Sequence, residues 1–395
     1  MIGLFNIEPE EVVEAFRGSL VGLIFDLAGL GAGFILFAYL SAVESAAPYL
    51  LIFYPSVLSI RGVINGIFSG NLATKLHLGT VKPSFRELTY DFKVLYSTII
   101  GGTLIGSTVV YALNTAAGFA AGLLESQHIL NALITVFASM DLSIILVSPI
   151  TAAVAFFSFK MGFDPDKTVY PVMSTVADIL VTLVYTVVIG AVASSRPMRL
   201  ALALFLAAFT GFQFYIFYYF SDDRDFTRQI RECGIAIAMV SAFTSLSGIF
   251  FAQLGRHSGR REIYVVYPAV IDTVGDVGSI VGSVITTRLH LGSKLESGNV
   301  ILGAWLASVV IFSVFSGVAA AASGSLSLEA FRDNARILLA TNFIAVLIIV
   351  SLTLGIALVT FKKGLDPDNF VNPVVSTVAD TVTTISLYTA SILMF

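Results

Sequence analysis

The sequence has little of what a soluble protein needs at its surface. Charged residues make up only 12% of the 395 positions, and the mean hydropathy is +0.90, whereas soluble domains carry about 25% charged residues. A net charge of −4 without a basic patch excludes a nucleic-acid-binding protein. The single cysteine, Cys233, excludes a disulfide framework and a cysteine-ligated metal site, and the four histidines form no zinc-type cluster. These absences exclude a soluble enzyme and indicate a membrane protein.

Long apolar runs take up most of the chain. A bilayer core about 30 Å thick needs about 20 apolar residues in a helix. Runs of that length lie near 19–43, 49–73, 94–122, 129–159, 169–195, 198–220, 230–254, 264–287, 298–322, 334–361 and 370–394. The sequence therefore predicts an all-α polytopic protein with about eleven transmembrane helices, and the lipid bilayer is its surroundings.

Lysine and arginine are distributed unevenly between the predicted loops. With the N-terminus in the cytoplasm, 14 of the 22 basic residues fall inside and seven outside. Because basic loops stay on the cytoplasmic side, we expect a multi-pass protein of the cell membrane with a cytoplasmic N-terminus and an outside C-terminus. Residues 1–18 form the predicted cytoplasmic or interfacial helix, since Val12, Val13 and Phe16 follow Pro9 at helical spacing.

The sequence also repeats itself. Residues 54–79 align without gaps on 267–292, and residues 160–178 align on 362–380. The predicted domains after residue 18 are a five-helix repeat at 19–197, a linking transmembrane helix at 198–221, and a second five-helix repeat at 222–395. The linking helix returns the chain to its starting side, so both repeats run in the same direction. We expect a pseudo-two-fold axis along the membrane normal, as in a parallel dimer on one chain, with a central pore.

Polar residues recur on one face of the last helix of each repeat. A helix that begins near residue 168 places Asp178 about 15 Å deep, close to the membrane midplane. Two carboxylates at one depth repel unless they are protonated or bridged by a cation. We therefore expect a metal site, and the alternative is a pair of protonated or hydrogen-bonded aspartates between helices. The predicted ligands on these faces are Asp178, Thr175 and Ser174 in the first repeat and Asp380, Thr377 and Ser376 in the second.

The second helix of each repeat carries different polar residues. Arg61 and Asn65 lie in the first repeat, and Asp272 and Asp276 in the second. We expect Asn65, Asp272 and Asp276 to line the ion path, and Arg61 to pair with Asp272 or Asp276 because an unpaired guanidinium in a membrane is costly. Small residues on both helices fit either close helix packing or the approach of a cation to backbone carbonyls. GxxxG spacings occur at Gly62–Gly66 and Gly278–Gly282.

Two further acidic residues lie in predicted helices. Asp26 and Asp141, in the first and fourth helices, have no aspartate counterpart in the other repeat. Without the matched placement of Asp178 and Asp380, these two are weaker candidates for ion ligands.

These strings resemble the MgtE-type magnesium transporters, especially the relatives in which two MgtE domains are fused on one chain, the solute-carrier magnesium transporters of animals. The resemblance implies transport of divalent cations, with Mg²⁺ as the expected ion and Asp178 and Asp380 as its principal ligands. It implies no enzyme activity and no cofactor. Single-domain relatives carry cytosolic sensor domains, and with about 18 residues before the first span we expect gating without them. The strings that carry the resemblance run from Pro55 to Gly79, Pro268 to Gly292, Asp164 to Asp178 and Asp366 to Asp380.

Other functions fit parts of the pattern. A Na⁺- or H⁺-coupled divalent cation exchanger has the same architecture as a channel-like transporter, and Arg61 with Asp272 or Asp276 is the sequence feature that hints at coupling. An intramembrane aspartyl protease would use two membrane aspartates as an acid–base pair. The aspartates here lie in identical VAD strings rather than in two distinct catalytic motifs. A purely structural scaffold would leave the matched carboxylates unexplained.

Overall fold

The computed structural model describes residues 7–162, 165–291, 297–363 and 368–394, without the side chains of residues 46, 165–171, 255–258, 368–370, 372–373 and 377. Regular structure in these ranges is helical and includes no strand, which confirms the all-α prediction. The α-helices are α1 (Pro9–Leu23), α2 (Leu30–Ala46), α3 (Tyr54–His77), α4 (Tyr90–Ala120), α5 (Ile129–Lys160), α6 (Pro165–Ser194), α7 (Arg196–Tyr219), α8 (Arg224–Ser258), α9 (Ile263–His290), α10 (Gly298–Ala322), α11 (Leu328–Lys362) and α12 (Asp368–Leu393). Short 3₁₀ segments lie at Ile24–Gly29, Pro48–Phe53 and Ser126–His128.

Ten helical segments within the described ranges are long and apolar enough to cross a membrane. They correspond to the first ten predicted runs, which confirms a multi-pass membrane protein. The eleventh predicted run, 370–394, coincides with α12, and several of its side chains lie outside the described residues. The predicted linking helix is α7, on which only Gln213 and Ile216 are buried. Its largely apolar, exposed surface suits contact with lipid.

Local sequence determines where several helices begin and end. The hydroxyl oxygens of Ser195 and Ser327 accept hydrogen bonds from the backbone N–H groups of Met198 (3.4 Å) and Ala330 (3.1 Å), and so cap α7 and α11. Ser195 is also the one residue between α6 and α7. Gly324 ends α10 with a φ of +80°, a left-handed conformation that glycine adopts without strain.

The backbone packs into two compact units that exchange their opening helices between the predicted repeats. Unit 1 comprises residues Met1–Phe37 and Phe250–Phe395, and unit 2 comprises Ala38–Ile249. The start of the first repeat therefore packs with α9–α12, and most of α8, the opening helix of the second repeat, packs with α3–α7. The repeat boundaries at 19–197 and 222–395 stay a prediction about the duplicated sequence, and the packing follows a different division.

In unit 1, α9 is the central helix and is buried along most of its length. The N-terminal helix α1 packs against α10, where an added Cβ on Gly303 would lie 2.6 Å from the Cβ of Ala15. At the start of α10, the Asn299 side chain accepts a hydrogen bond from the backbone N–H of Glu8 (3.0 Å) and donates one to Glu11 (2.7 Å). These contacts hold α1 on the unit, while its predicted position at the membrane surface stays a prediction.

In unit 2, α3 takes the central place and packs against α4, α5 and α6. Ser56 on α3 and Asn114 on α4 are joined by hydrogen bonds and are fully buried. The opening helix of the second repeat, α8, is held close to the start of α3, because Gly248 lies against the carbonyl of Ile52. The exchanged helix therefore reaches the interior of this unit.

In each unit a glycine of the exchanged helix lies against a backbone carbonyl, and these equivalent contacts provide a test of the packing. An added Cβ would lie 1.7 Å from the carbonyl oxygen of Val265 at Gly33, and 2.0 Å from that of Ile52 at Gly248. A backbone carbonyl cannot move aside as the end of a side chain can. We therefore expect Gly33→Ala and Gly248→Ala each to destabilise the protein by about 3 kcal/mol or more, at or above the upper end of the range typical of overpacking. Thermal unfolding in detergent measures this loss.

Two glycines in the same units provide matched controls. Nothing lies within 4 Å of a Cβ added at Gly355 on α11 or at Gly190 on α6. Since alanine is a better helix former than glycine by about 1 kcal/mol, Gly355→Ala and Gly190→Ala should unfold at the wild-type temperature or slightly above it. Equal unfolding temperatures for Gly33→Ala and Gly355→Ala would show that the contact with Val265 is not tight.

Candidate cation site

Each aspartate-bearing helix is tied to the proline-containing central helix of its unit by an equivalent hydrogen bond. In unit 2 the hydroxyls of Tyr54 and Thr182 are 2.9 Å apart, and in unit 1 those of Tyr267 and Thr384 are 2.8 Å apart. All four residues are completely buried. Each threonine comes four residues, about one helical turn, after the predicted aspartate ligand. The hydrogen bond therefore fixes the height of that aspartate along the central helix.

Asp178 and Asp380 are half-buried on α6 and α12. The hydroxyl of Thr384 donates a hydrogen bond to the backbone carbonyl of Asp380 at 2.6 Å. Neighbouring hydroxyls lie on the same helical faces, as the spacing predicts: Thr175 is half-buried, and Ser174 and Ser376 are exposed. The side chain of Thr377 lies outside the described residues. In each unit a carboxylate thus remains accessible on a helix whose position is fixed.

Asn65 is oriented by a contact between helices. It is buried on α3, and its side-chain oxygen accepts a hydrogen bond from the Thr151 hydroxyl on α5 at 2.8 Å. The predicted contribution of this oxygen to an ion path therefore competes with a buried hydrogen bond. An oxygen that is already bonded inside the protein is a poorer ligand than an accessible one.

An acidic pair occupies the break between α1 and α2 in unit 1. Asp26 lies in the 3₁₀ segment Ile24–Gly29 and is 7% exposed. Its carboxyl interacts with the carboxyl of Asp276 and the hydroxyl of Thr273, both on α9. Asp276 is exposed, and Asp272, one turn earlier on α9, is half-buried. Asp26, which the sequence makes a weaker candidate for an ion ligand, thus interacts with Asp276, one of the predicted ligands.

The arginine of α3 is buried in unit 2. Arg61 is 1% exposed, and one guanidinium nitrogen donates to the Thr103 hydroxyl at 3.3 Å. The carboxylate whose charge acts on it is Asp141 on α5, which is completely buried. The side-chain amide of Gln213 on α7 donates to Asp141 at 2.9 Å. This cluster joins four helices of the unit around one cation and one anion.

The sequence predicted a different partner for Arg61. The expected carboxylates were Asp272 and Asp276, whereas the carboxylate whose charge acts on Arg61 is Asp141. The prediction compared equivalent positions of the repeats, and Asp141 has no aspartate counterpart there. A buried arginine needs a carboxylate, and this requirement is itself the signal that could have identified Asp141.

The two GxxxG pairs differ in their packing. An added Cβ at Gly278 or Gly282 would lie 2.5 Å from the side chain of Val375 or Val371 on α12, so close helix packing is confirmed in unit 1. At Gly62 in unit 2, nothing lies within 4 Å of an added Cβ. Gly62 is exposed, so among the described residues this glycine does not serve close packing against a neighbouring helix.

The described acidic residues do not form a dense metal cage. Across residues 7–162, 165–291, 297–363 and 368–394, no three His, Cys, Asp or Glu side chains come together as metal ligands. A cation would therefore bind through one or two carboxylates, with hydroxyl, carbonyl and water oxygens completing its shell. Mg²⁺ suits this arrangement, because it keeps several of its waters and is bound through few carboxylates.

Comparison with known proteins identifies the family of the chain. The profile of the MgtE family, described as a divalent cation transporter, matches residues 54–188 and 267–390, that is, α3–α6 and α9–α12. Solute carrier family 41 member 2 from Xenopus laevis is 24% identical over 178 residues, which cover 40% of this chain and 32% of that protein. The Gallus gallus protein of the same name is 26% identical over 133 residues, which cover 31% and 23%.

The chain therefore spans about a third or less of the length of these relatives, and no solved structure matches it significantly. The family profile covers well over half of the chain and matches it twice in succession, which confirms the resemblance stated from the sequence. These matches concern transporters and not enzymes. The chain belongs to the MgtE family of divalent cation transporters.

Proposed function

We propose that this protein transports Mg²⁺ across the membrane, with Asp178 and Asp380 as its principal ligands. The observation that carries the proposal is the equivalent placement of the two carboxylates. Each is half-buried one turn before a threonine whose hydroxyl is hydrogen-bonded to a buried tyrosine of the central helix. Intramembrane aspartates are costly, and those that persist mark ion paths by default.

The neighbouring groups fit a partly hydrated divalent cation. Carboxylate oxygens provide the charge, and the hydroxyls of Ser174, Thr175 and Ser376 can accept or donate hydrogen bonds to waters that the ion keeps. An aspartate favours a divalent over a monovalent ion because the attraction scales with the charge of the ion. These groups therefore support selection by charge first and by the size of the hydrated ion second.

The finer points of the proposal rest on the sequence. The duplication supports a single-chain pseudo-dimer in which both aspartates bind one ion in a central pore, and Thr377, Asn65, Asp272 and Asp276 are further candidate residues along the ion path. The distribution of basic residues supports a cytoplasmic N-terminus, an outside C-terminus and a location in the cell membrane.

Flux into liposomes tests the proposed function. The purified protein is reconstituted into vesicles that enclose a Mg²⁺-sensitive dye, and an inward Mg²⁺ gradient is applied. We expect Mg²⁺ entry that protein-free vesicles do not show, with or without a gradient of Na⁺ or pH. A strict requirement for such a gradient would instead establish the coupled exchanger, and folded protein without any divalent cation flux would contradict the proposal.

A further inference from the structure

The first membrane segment of unit 1 is not a continuous helix. Between α1 and α2 the backbone changes to 3₁₀ geometry over Ile24–Gly29, and Asp26 lies in this stretch. A 3₁₀ stretch between two α-helical segments often marks a functional hinge, and discontinuous transmembrane helices often form ion sites. The break is held against α9, where an added Cβ at Gly29 would lie 3.3 Å from the Cα of Ala269.

The acidic group at this break is buried and incompletely satisfied. Asp26 is 7% exposed, and among the described residues its Oδ2 atom has no hydrogen-bond partner. Its carboxyl interacts with the carboxyl of Asp276 and the hydroxyl of Thr273. The hydroxyl of Thr273 donates a hydrogen bond to the backbone carbonyl of Ala269 at 2.8 Å, so the lone pairs of the hydroxyl oxygen point away from that carbonyl. The break therefore presents three oxygen-bearing side chains together, one of them with an unused, buried oxygen.

Charge balance identifies the kind of ligand. Asp26 and Asp276 bring two carboxyl groups into contact, and among the described residues the side chains that interact with Asp26 are this carboxyl and the hydroxyl of Thr273. In unit 2 a basic residue compensates the buried carboxylate instead, because the charge of Arg61 acts on Asp141. A doubly charged cation would neutralise the pair in unit 1, whereas a singly charged one would leave a net negative charge in a poorly solvated place.

We propose that Asp26 and Asp276, with Thr273, form a second divalent-cation site in unit 1, separate from the ligands Asp178 and Asp380. Asp276 is exposed and gives the ion access to the site, and the buried Asp26 forms its inner end. The site binds Mg²⁺ with part of its water shell, as two carboxylates and a hydroxyl can. The proposal extends the proposed function, because it uses the same ion, but binding here does not require transport.

Binding of Mn²⁺, a paramagnetic substitute for Mg²⁺, tests this site. The full-length protein carrying Asp178→Asn and Asp380→Asn is titrated with Mn²⁺, and free Mn²⁺ is followed by electron paramagnetic resonance. We expect this background to bind a Mn²⁺ ion that Mg²⁺ displaces. Adding Asp26→Asn or Asp276→Asn should weaken that binding at least tenfold, whereas Asp276→Glu should retain it in part because the carboxylate is kept.

Controls separate this proposal from general loss of charge and from misfolding. Asp222→Asn removes a negative charge from the exposed loop before α8 and should leave Mn²⁺ binding unchanged. Thermal unfolding in the absence of divalent ions shows whether each variant folds. If an asparagine variant does not fold, a changed Mn²⁺ affinity of the Asp276→Glu variant relative to its background tests the same contact. Unchanged Mn²⁺ affinity and stoichiometry in folded Asp26→Asn and Asp276→Asn variants would overturn the proposal.

The failure of this site and the failure of the proposed function give different results. If the wild-type protein transports Mg²⁺ but the Asp26→Asn variant binds Mn²⁺ as its background does, the second site is wrong and the function stands. If Mn²⁺ binding depends on Asp26 and Asp276 while no variant or wild type shows Mg²⁺ flux, the site stands and the transport proposal is wrong.

Discussion

Asparagine in place of Asp178 or Asp380 is expected to lower Mg²⁺ flux by about 10- to 150-fold. The amide keeps the size and one oxygen of the side chain but loses its charge. Interactions with a charged group contribute ~1.5–3 kcal/mol, which corresponds to that range of rates or affinities. The measurement is initial Mg²⁺ entry into dye-loaded vesicles at a matched amount of reconstituted protein.

The helices that carry these aspartates are fixed by buried contacts that the substitutions leave intact. The hydrogen bonds between Tyr54 and Thr182 and between Tyr267 and Thr384 should persist, so both variants should unfold near the wild-type temperature. Asp222→Asn, in an exposed loop, is the control for loss of net charge and should transport as the wild type does. Wild-type flux through both asparagine variants would refute the assignment of the ligands.

The double variant tests whether the two aspartates act on one ion. If Asp178 and Asp380 bind the same cation, removing the second carboxylate from a site that is already impaired has a smaller effect than removing the first. If they act on different ions, the two losses multiply, because independent sites contribute additively in free energy. Multiplying losses would contradict the shared site and the pseudo-dimer that the duplicated sequence predicts.

Much of the architecture follows from local features of the sequence. Apolar runs of about 20 residues determine the spans because the bilayer sets their length, and the ten segments found in the described residues match ten predicted runs. The duplicated strings likewise predict which helices are equivalent. The hydrogen bonds of Tyr54 and Tyr267 repeat in the two units because both partners lie within duplicated helices.

The exchange of opening helices could not be predicted in the same way. It depends on tertiary packing between segments far apart in sequence, and the opening helices lie outside both segments that the family profile matches. Gly33 and Gly248 are the residues that carry the exchange, because each brings a helix onto a backbone carbonyl. Residues 36–40 also match residues 250–254 weakly, and the position of Gly33 and Gly248 just before these stretches is the signal that the sequence holds.

The sequence predicts candidate ligands where the repeats agree and gives less weight to positions where they differ. Asp178 and Asp380 are predicted ligands because identical VAD strings contain both. Asp26 was rated lower because the other repeat has no aspartate there, although glycines on either side of it, at Gly22 and Gly29, favour a broken helix. A charged residue without a counterpart in the other repeat, such as Arg61, is compensated by a residue such as Asp141 that only the folded structure brings near it.

Methionine in place of Arg61 is expected to destabilise the protein by about 3–5 kcal/mol, the usual cost of removing one of two opposite buried charges that compensate each other. Arg61 is 1% exposed and Asp141 is completely buried, so no solvent screens the carboxylate that the substitution leaves behind. The hydrogen bond from Gln213 at 2.9 Å satisfies only part of that carboxylate. Reversible unfolding in mixed detergent micelles measures the loss.

Removing both charges separates the electrostatic interaction of Arg61 with Asp141 from simple packing. The Arg61→Met, Asp141→Leu variant carries no uncompensated buried charge, so we expect it to recover most of the stability that Arg61→Met loses, as buried ion pairs replaced by apolar residues often do. Arg231→Met, at an exposed position on α8, is the matched control and should change stability by no more than about 0.5 kcal/mol. If the double variant is instead less stable than Arg61→Met, the arginine contributes mainly through packing and its hydrogen bond to Thr103, and the charge of Asp141 is balanced by another group.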